Sequence, residues 1–198
     1  MNPNIFPITV IVAISLFLIK ELVELYRRVM ADKRKISAMK KLLANEIERN
    51  NWVITSLKRH LKGVQSDWLE SDYKVINTQS RGYRIEVSRD GGSVGGGSPV
   101  FEVSTTVFDK ILFELPVLDV SLFELAEKAY EGIAEVKHLS DSLVENIINQ
   151  KGHISPDFII GFSEYALEEL EYSHKALCEL YRKCTGKDLT SHKLRTYI

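Results

Sequence analysis

Cysteine is almost missing from this sequence, with only Cys178 and Cys184 in 198 residues. That excludes a disulfide-held fold of the small secreted kind. Net charge is missing too, because 26 Lys and Arg face 27 Asp and Glu for a formal −1. A dedicated nucleic-acid binder carries a strong basic excess, so no nucleic-acid partner is expected. No Ser/His/Asp or Cys/His set has a recognisable spacing, and His60, His138 and His153 stand alone. A lone histidine is more often structural than catalytic, and the chain reads as a non-enzyme without a cofactor. The glycine-rich run Gly91–Ser98 lacks the Gly-Lys-Ser/Thr ending of a phosphate loop and leads into Pro99. It reads as a flexible hairpin connection. What is present, 44% hydrophobic and 27% charged residues, is the composition of a folded protein.

The charges that cancel overall are segregated along the chain. Residues 20–62 hold twelve Lys or Arg against five acids, a net +7. Residues 102–180 hold sixteen acids against five Lys, a net −11. From Arg182 onward the chain is basic again, with Asp188 as its only acid.

Ile5–Ile19 carries no charge, and with Leu22 and Val23 it makes about 28 Å of helix, which predicts a membrane span. A cleaved signal peptide would need cations ahead of the run and small residues after it, whereas KELVELYRR follows. A core helix would show a polar face, and only Thr9 and Ser15 are polar here. Lys20, Arg27, Arg28, Lys33, Arg34 and Lys35 all follow the run. The positive-inside bias then sets the N-terminus outside and the rest in the cytoplasm, single-pass in the inner (plasma) membrane. The lipid bilayer is the first expected partner, with the basic stretch lying against anionic headgroups.

Apolar residues then recur at three- and four-residue steps: Leu22, Leu25, Val29, Ile36, Met39, Leu43 and Ile47. The series resumes at Ile54, Leu57, Leu61 and Val64, which predicts one long helix to about Lys62 or Gly63. Asn50 falls on this stripe, where a polar residue fixes register or oligomeric state, or is a buried amide with a partner. YKVIN, GYRIEVSR and VFEVSTTVF read as strands. A helix over Asp109–Leu115 should stop at Pro116, and Ser121-Leu122-Phe123-Glu124 should cap the next. Ser155-Pro156 opens another helix that Gly186 ends.

The fold class expected is therefore mainly α. An N-terminal transmembrane helix continues into a cytoplasmic three- or four-helix bundle with a small antiparallel β insert. The divisions are residues 1–23 (span), 24–63 (stalk and bundle helix), 64–108 (β insert), 109–185 (helical bundle) and 186–198 (basic tail).

One metal arrangement is legible. His174 and Cys178 are four apart and share a helix face; Cys184 follows near the helix end, and a turn at Gly186 could return His192. Two Cys and two His would close a tetrahedral zinc site. A step of six positions from Cys178 to Cys184 is long for such a pair, and Cys184 fits the apolar stripe, so buried thiols and no metal are expected.

LLANEIERNNWVI, with Glu46 and Asn50, and VFDKILFELPVLDVSLFELAEKAYEGI, with Phe108-Asp109, Leu115-Pro116 and Tyr130, carry a loose family likeness. Over residues 5–62 and 106–150 the chain resembles bacterial small single-span membrane proteins with a cytoplasmic helical bundle of unassigned function. The strand insert and the Gly-rich loop depart from that pattern. The resemblance implies an accessory or anti-phage-type role. The function expected is a membrane-anchored adaptor or scaffold, acting by binding a soluble protein or as a homo-oligomer. The alternative is a membrane-acting effector that forms an oligomeric pore or disrupts the bilayer.

Overall fold

The structure is a computed structural model describing residues 8–78, 82–89, 94–149 and 155–190. It is mainly helical, with a small three-stranded antiparallel sheet. The chain divides into two units, Met1–Met39 and Lys40–Ile198. Helix α1 (Ile8–Asp67) contributes to both.

In the first unit the apolar side chains described from Ile8 to Val29 are solvent-exposed, whereas Met39 at the end of the unit is buried. The expected membrane span is corrected here. Among the described residues no helix is long and apolar enough to cross a membrane. Ile5, Phe6 and Pro7, which opened the expected run, lie outside the described residues. The described uncharged run is Ile8–Ile19, about 18 Å at 1.5 Å per residue, against a hydrocarbon core of about 30 Å. Lys20, Glu21 and Glu24 then follow within one further turn or so. The single-pass inner-membrane location and the orientation drawn from it fall with the span. Lys20, Arg27, Arg28, Lys33, Arg34 and Lys35 are exposed on this helix, and Arg28 holds Glu24 at 3.2 Å.

In the second unit the apolar stripe is covered. Leu43, Ile47, Ile54, Leu61 and Val64 are fully buried, as the three-and-four spacing requires of a face turned to a core. Helices α4 (Val120–Ile148) and α5 (Pro156–Thr185) supply the cover. Three side-chain contacts set α5 antiparallel to α1: Tyr181 to Glu48, Lys58 to Glu171 and Gln65 to Glu164. Helix α4 meets α5 closely at Gly132, where a Cβ would stand 3.1 Å from the Ser173 backbone. The Ser173 hydroxyl donates to the Gly132 carbonyl there, at 3.1 Å.

The sheet has the order β1 (Ser71–Thr78), β2 (Gly82–Arg89), β3 (Val94–Pro99). The first two strands are those the sequence predicts. The third is displaced: VGGGSP pairs with β2, and the expected strand VFEVSTTVF does not form. Glycine makes this possible, because a Cβ on Gly97 would lie 2.6 Å from the Arg84 guanidinium. Gly97 pairs with Glu86 and Gly96 with Val87, with an irregularity between Val87 and Ser88.

The helix starts also differ in detail. Helix α2 (Thr106–Ile111) ends before Leu115, and Pro116 sits in the first turn of a short α3 (Leu115–Leu118). Proline opens that turn instead of stopping one, since its missing N–H is unneeded there. The cap of α4 is Asp119, not Ser121: its carboxylate accepts from the Leu122 amide at 3.0 Å and from the Ser121 hydroxyl at 2.9 Å. Burial raises the Asp119 carboxyl, but these two donors and Lys40 outweigh it and hold it below its ordinary value. Ser155 caps α5, and Gly186 ends it in the left-handed conformation (φ 72°), as read from the sequence.

Candidate functional site: a polar lock on the returning segment

After β3 the chain returns alongside α1 in the opposite direction. His60 meets Ser98 and Pro99, Trp52 meets Phe101, Asn50 meets Ser104, and Glu46 meets Val107 and Phe108. Residues 100–105 have no sheet ladder, so their backbone groups must find partners elsewhere. The Val100 amide donates to the Tyr83 carbonyl of β2 at 2.8 Å, and a side chain of α1 answers both backbone groups of Ser104.

Asn50 is fully buried and acts as a fork. Its Nδ2 donates to the Ser104 carbonyl at 2.8 Å, and its Oδ1 accepts from the Ser104 amide at 2.8 Å. One side chain thus makes the paired bonds a neighbouring strand would make. The register residue of the sequence finds its partner in the backbone of its own chain.

Glu46, one helical turn earlier, is 3% exposed. Its Oε1 accepts from the Ser104 hydroxyl at 2.8 Å and the Val107 amide at 2.9 Å. Its Oε2 accepts from the Phe108 amide at 3.2 Å and from the Tyr130 hydroxyl. Val107 and Phe108 are the second and third residues of α2, whose own capping residue, Thr105, makes no side-chain cap bond. Glu46 therefore caps α2 from another helix, with negative charge at the end of the helix that favours it. Burial and then the Glu46 hydrogen bond drive the Tyr130 hydroxyl far above its ordinary value, so it remains a donor. Phe108 stacks on the Tyr130 ring, 4.2 Å between centroids. The cluster joins α1, the returning segment, α2 and α4, and each of its polar groups is answered by another.

Sequence reasoning places Asn50 on the stripe but gives Glu46 no role of its own. The available signal is an acid four residues before Asn50, beside an otherwise apolar face. Phe108 and Tyr130 both belong to this cluster, and Leu115 is fully buried.

The three metal candidates among the described residues, His174, Cys178 and Cys184, do not converge. His174 Nε2 lies 3.7 Å from the Cys178 sulfur. Cys184, six residues on, faces Lys40 and Asp119 instead, because six helical steps turn the side chain by about 240°. His192 lies outside the described residues. No group of three or more His, Cys, Asp or Glu among the described residues is placed to hold an ion. Burial pushes the Cys184 thiol up to about 11 and raises Cys178 as well, so neither is a ready thiolate at neutral pH.

His60 supplies a pH dependence. Burial lowers it below its ordinary value of 6.5, and burial lowers His174 too. The unfolded chain therefore binds more protons than the folded one between each lowered value and 6.5. Stability should be complete above about pH 6.5 and fall as the pH drops below it. Urea midpoints measured across this range should show the fall, and H60Q/H174Q should flatten the profile. An unchanged slope in the double variant would refute the assignment.

Comparison with known proteins finds no family model, no curated protein and no solved structure that matches this chain. The fold and the lock therefore define a class only: a mainly helical protein with a small antiparallel sheet, organised around a buried Glu–Asn–Tyr cluster.

Proposed function

We propose that this protein is a non-enzymatic scaffold that acts by self-association, with the first unit's part of α1 as the associating element. The supporting observation is the exposed apolar surface of that helix. Leu18, Leu22, Leu25 and Val29 recur at steps of four, three and four, the spacing of a coiled-coil seam. Leu22 is 64% exposed and Leu25 59% exposed. Further along the same helix, residues at this spacing are buried by the chain's own elements. A stripe of this size left open to solvent is the mark of an interaction surface. On this reading residues 40–190 are a three-helix bundle that carries the element, and the buried lock keeps the bundle in a single arrangement. The effector alternative draws its pore from the span and has no described helix to build it with.

Light scattering on the full chain tests the proposal. The expected mass is a small multiple of 22.6 kDa, and L22D/L25D should return it to 22.6 kDa with unchanged helicity. A full-length chain that remains monomeric, whether free or floating with phospholipid vesicles, would overturn it.

A further inference from the structure

The free seam of α1 extends beyond Leu18, Leu22, Leu25 and Val29. The same three-and-four series begins at Ile11 and Ser15 and continues through Asp32 to Ile36. All of these side chains are exposed except Ile36, which is half-buried. Met39, next in the series, is buried within its own chain, so the free seam ends at Ile36. It runs about 38 Å at 1.5 Å per residue, between three and four heptads, which is the length of a coiled coil. Two of its positions are polar. The Ser15 hydroxyl donates to the Ile11 carbonyl of its own helix at 2.9 Å. Asp32 brings a carboxylate, which is costly on a closed seam unless it faces a donor.

We propose that this seam closes on the same segment of a second copy running antiparallel, about a two-fold axis between Val23 and Glu24. The inference rests on the self-association reading and names its partner, direction and register. The order of residues along the seam selects the arrangement. With the axis at that point, Leu22 lies level with Leu25 of the second copy, Leu18 with Val29, Ile11 with Ile36, and Ser15 with Asp32. Every apolar position meets an apolar one, and the two polar positions meet each other. The Ser15 hydroxyl then donates to the Asp32 carboxylate of the other copy, and symmetry makes that bond twice. A slip of one heptad in either direction sets Asp32 against Leu22 or Ile8 instead. A parallel pair in register sets Asp32 against Asp32, two like charges at one level. It also lays the basic stretch of residues 27–35 against itself. Antiparallel pairing lays that stretch against residues 12–20, which carry no charge before Lys20. Lys20, Arg27 and Arg34 fall on the opposite side of the helix and stay in water. The contact is isologous and closes at two copies.

Disulfide trapping in the full chain tests the direction, with the wild type under the same mild oxidation as control. In the antiparallel pair Leu18 stands about 16 Å along the axis from its own counterpart, and Val29 likewise, whereas a disulfide spans at most about 7 Å between Cα atoms. L18C alone and V29C alone should therefore form no covalent dimer. The two mixed and allowed to exchange should join about half of the paired chains, the share that random mixing gives. Sedimentation tests the polar layer. S15L should weaken association by about tenfold or more, because it sets the Asp32 carboxylate against leucine, and S15L/D32L should restore it. In a parallel pair S15L would tighten association instead. If L22D/L25D dissolves the assembly while L18C and V29C each crosslink alone, or S15L tightens it, the antiparallel register is wrong and self-association stands. If the wild-type chain is monomeric, both readings fall.

Discussion

Replacing Glu46 with leucine is expected to destabilise the protein by on the order of 3–5 kcal/mol, the largest effect of any single substitution in the buried cluster. The carboxylate accepts from two backbone amides and two hydroxyls, and leucine offers none of them a partner. The loss is large because the cost of an unanswered buried donor exceeds the net gain from making the bond. Helix α2 would also lose the cap that Glu46 provides, since its own capping residue makes no such bond. Glutamine should cost about half as much, as its amide nitrogen cannot accept where the carboxylate does. Tyr130→Phe should cost about 1–2 kcal/mol, and the pair should be non-additive because they share one bond. Urea unfolding followed by circular dichroism measures all of these. A Glu46→Leu variant within about 1 kcal/mol of the wild type would show that water can replace the carboxylate.

Asn50→Leu is expected to follow, at about 2–4 kcal/mol. The substitution preserves bulk and apolar character on the buried face but strands both the amide and the carbonyl of Ser104. Aspartate separates the two halves of the fork. It keeps an acceptor for the Ser104 amide but sets a carboxylate oxygen against the Ser104 carbonyl, so Asn50→Asp should be no milder than leucine. Equal stability of Asn50→Ala and the wild type would remove the fork from the account.

What is legible in the sequence follows the range of the interaction. Ser155 at the start of α5 and Gly186 at its end act on residues three or four positions away, and both can be read directly. The stripe of α1 is likewise local, and its second half is buried as its period demands. The third strand escapes such a reading because β-branched residues favour strands only where an edge is available to pair with. Within Val100–Thr105 it is Ser104 that takes a side chain of α1 as its partner, and Gly97 before it fits against Arg84 and Glu86 where a bulkier residue could not. Ser121 fits a capping pattern, yet the neighbouring Asp119 takes the role, because its carboxylate reaches the Leu122 amide. The membrane span fails on length, with Lys20, Glu21 and Glu24 following too soon after the described apolar run. Glu46 is the hardest to read. Its partners lie 58 to 84 residues away, and no local spacing announces them.

Dependence on distant acceptors also sets how the returning segment can open. The amides of Ser104, Val107 and Phe108 are bonded to side chains 54, 61 and 62 residues earlier. An amide in a helix interior can exchange its proton through local fraying, because its acceptor is four residues away. These three have no such route. Their protons become available only when the segment leaves α1, which breaks the Asn50 fork and the Glu46 cap together. They should therefore exchange with deuterium as one group, at a single opening free energy. The rate at those three positions then serves as a built-in gauge of whether the lock is closed.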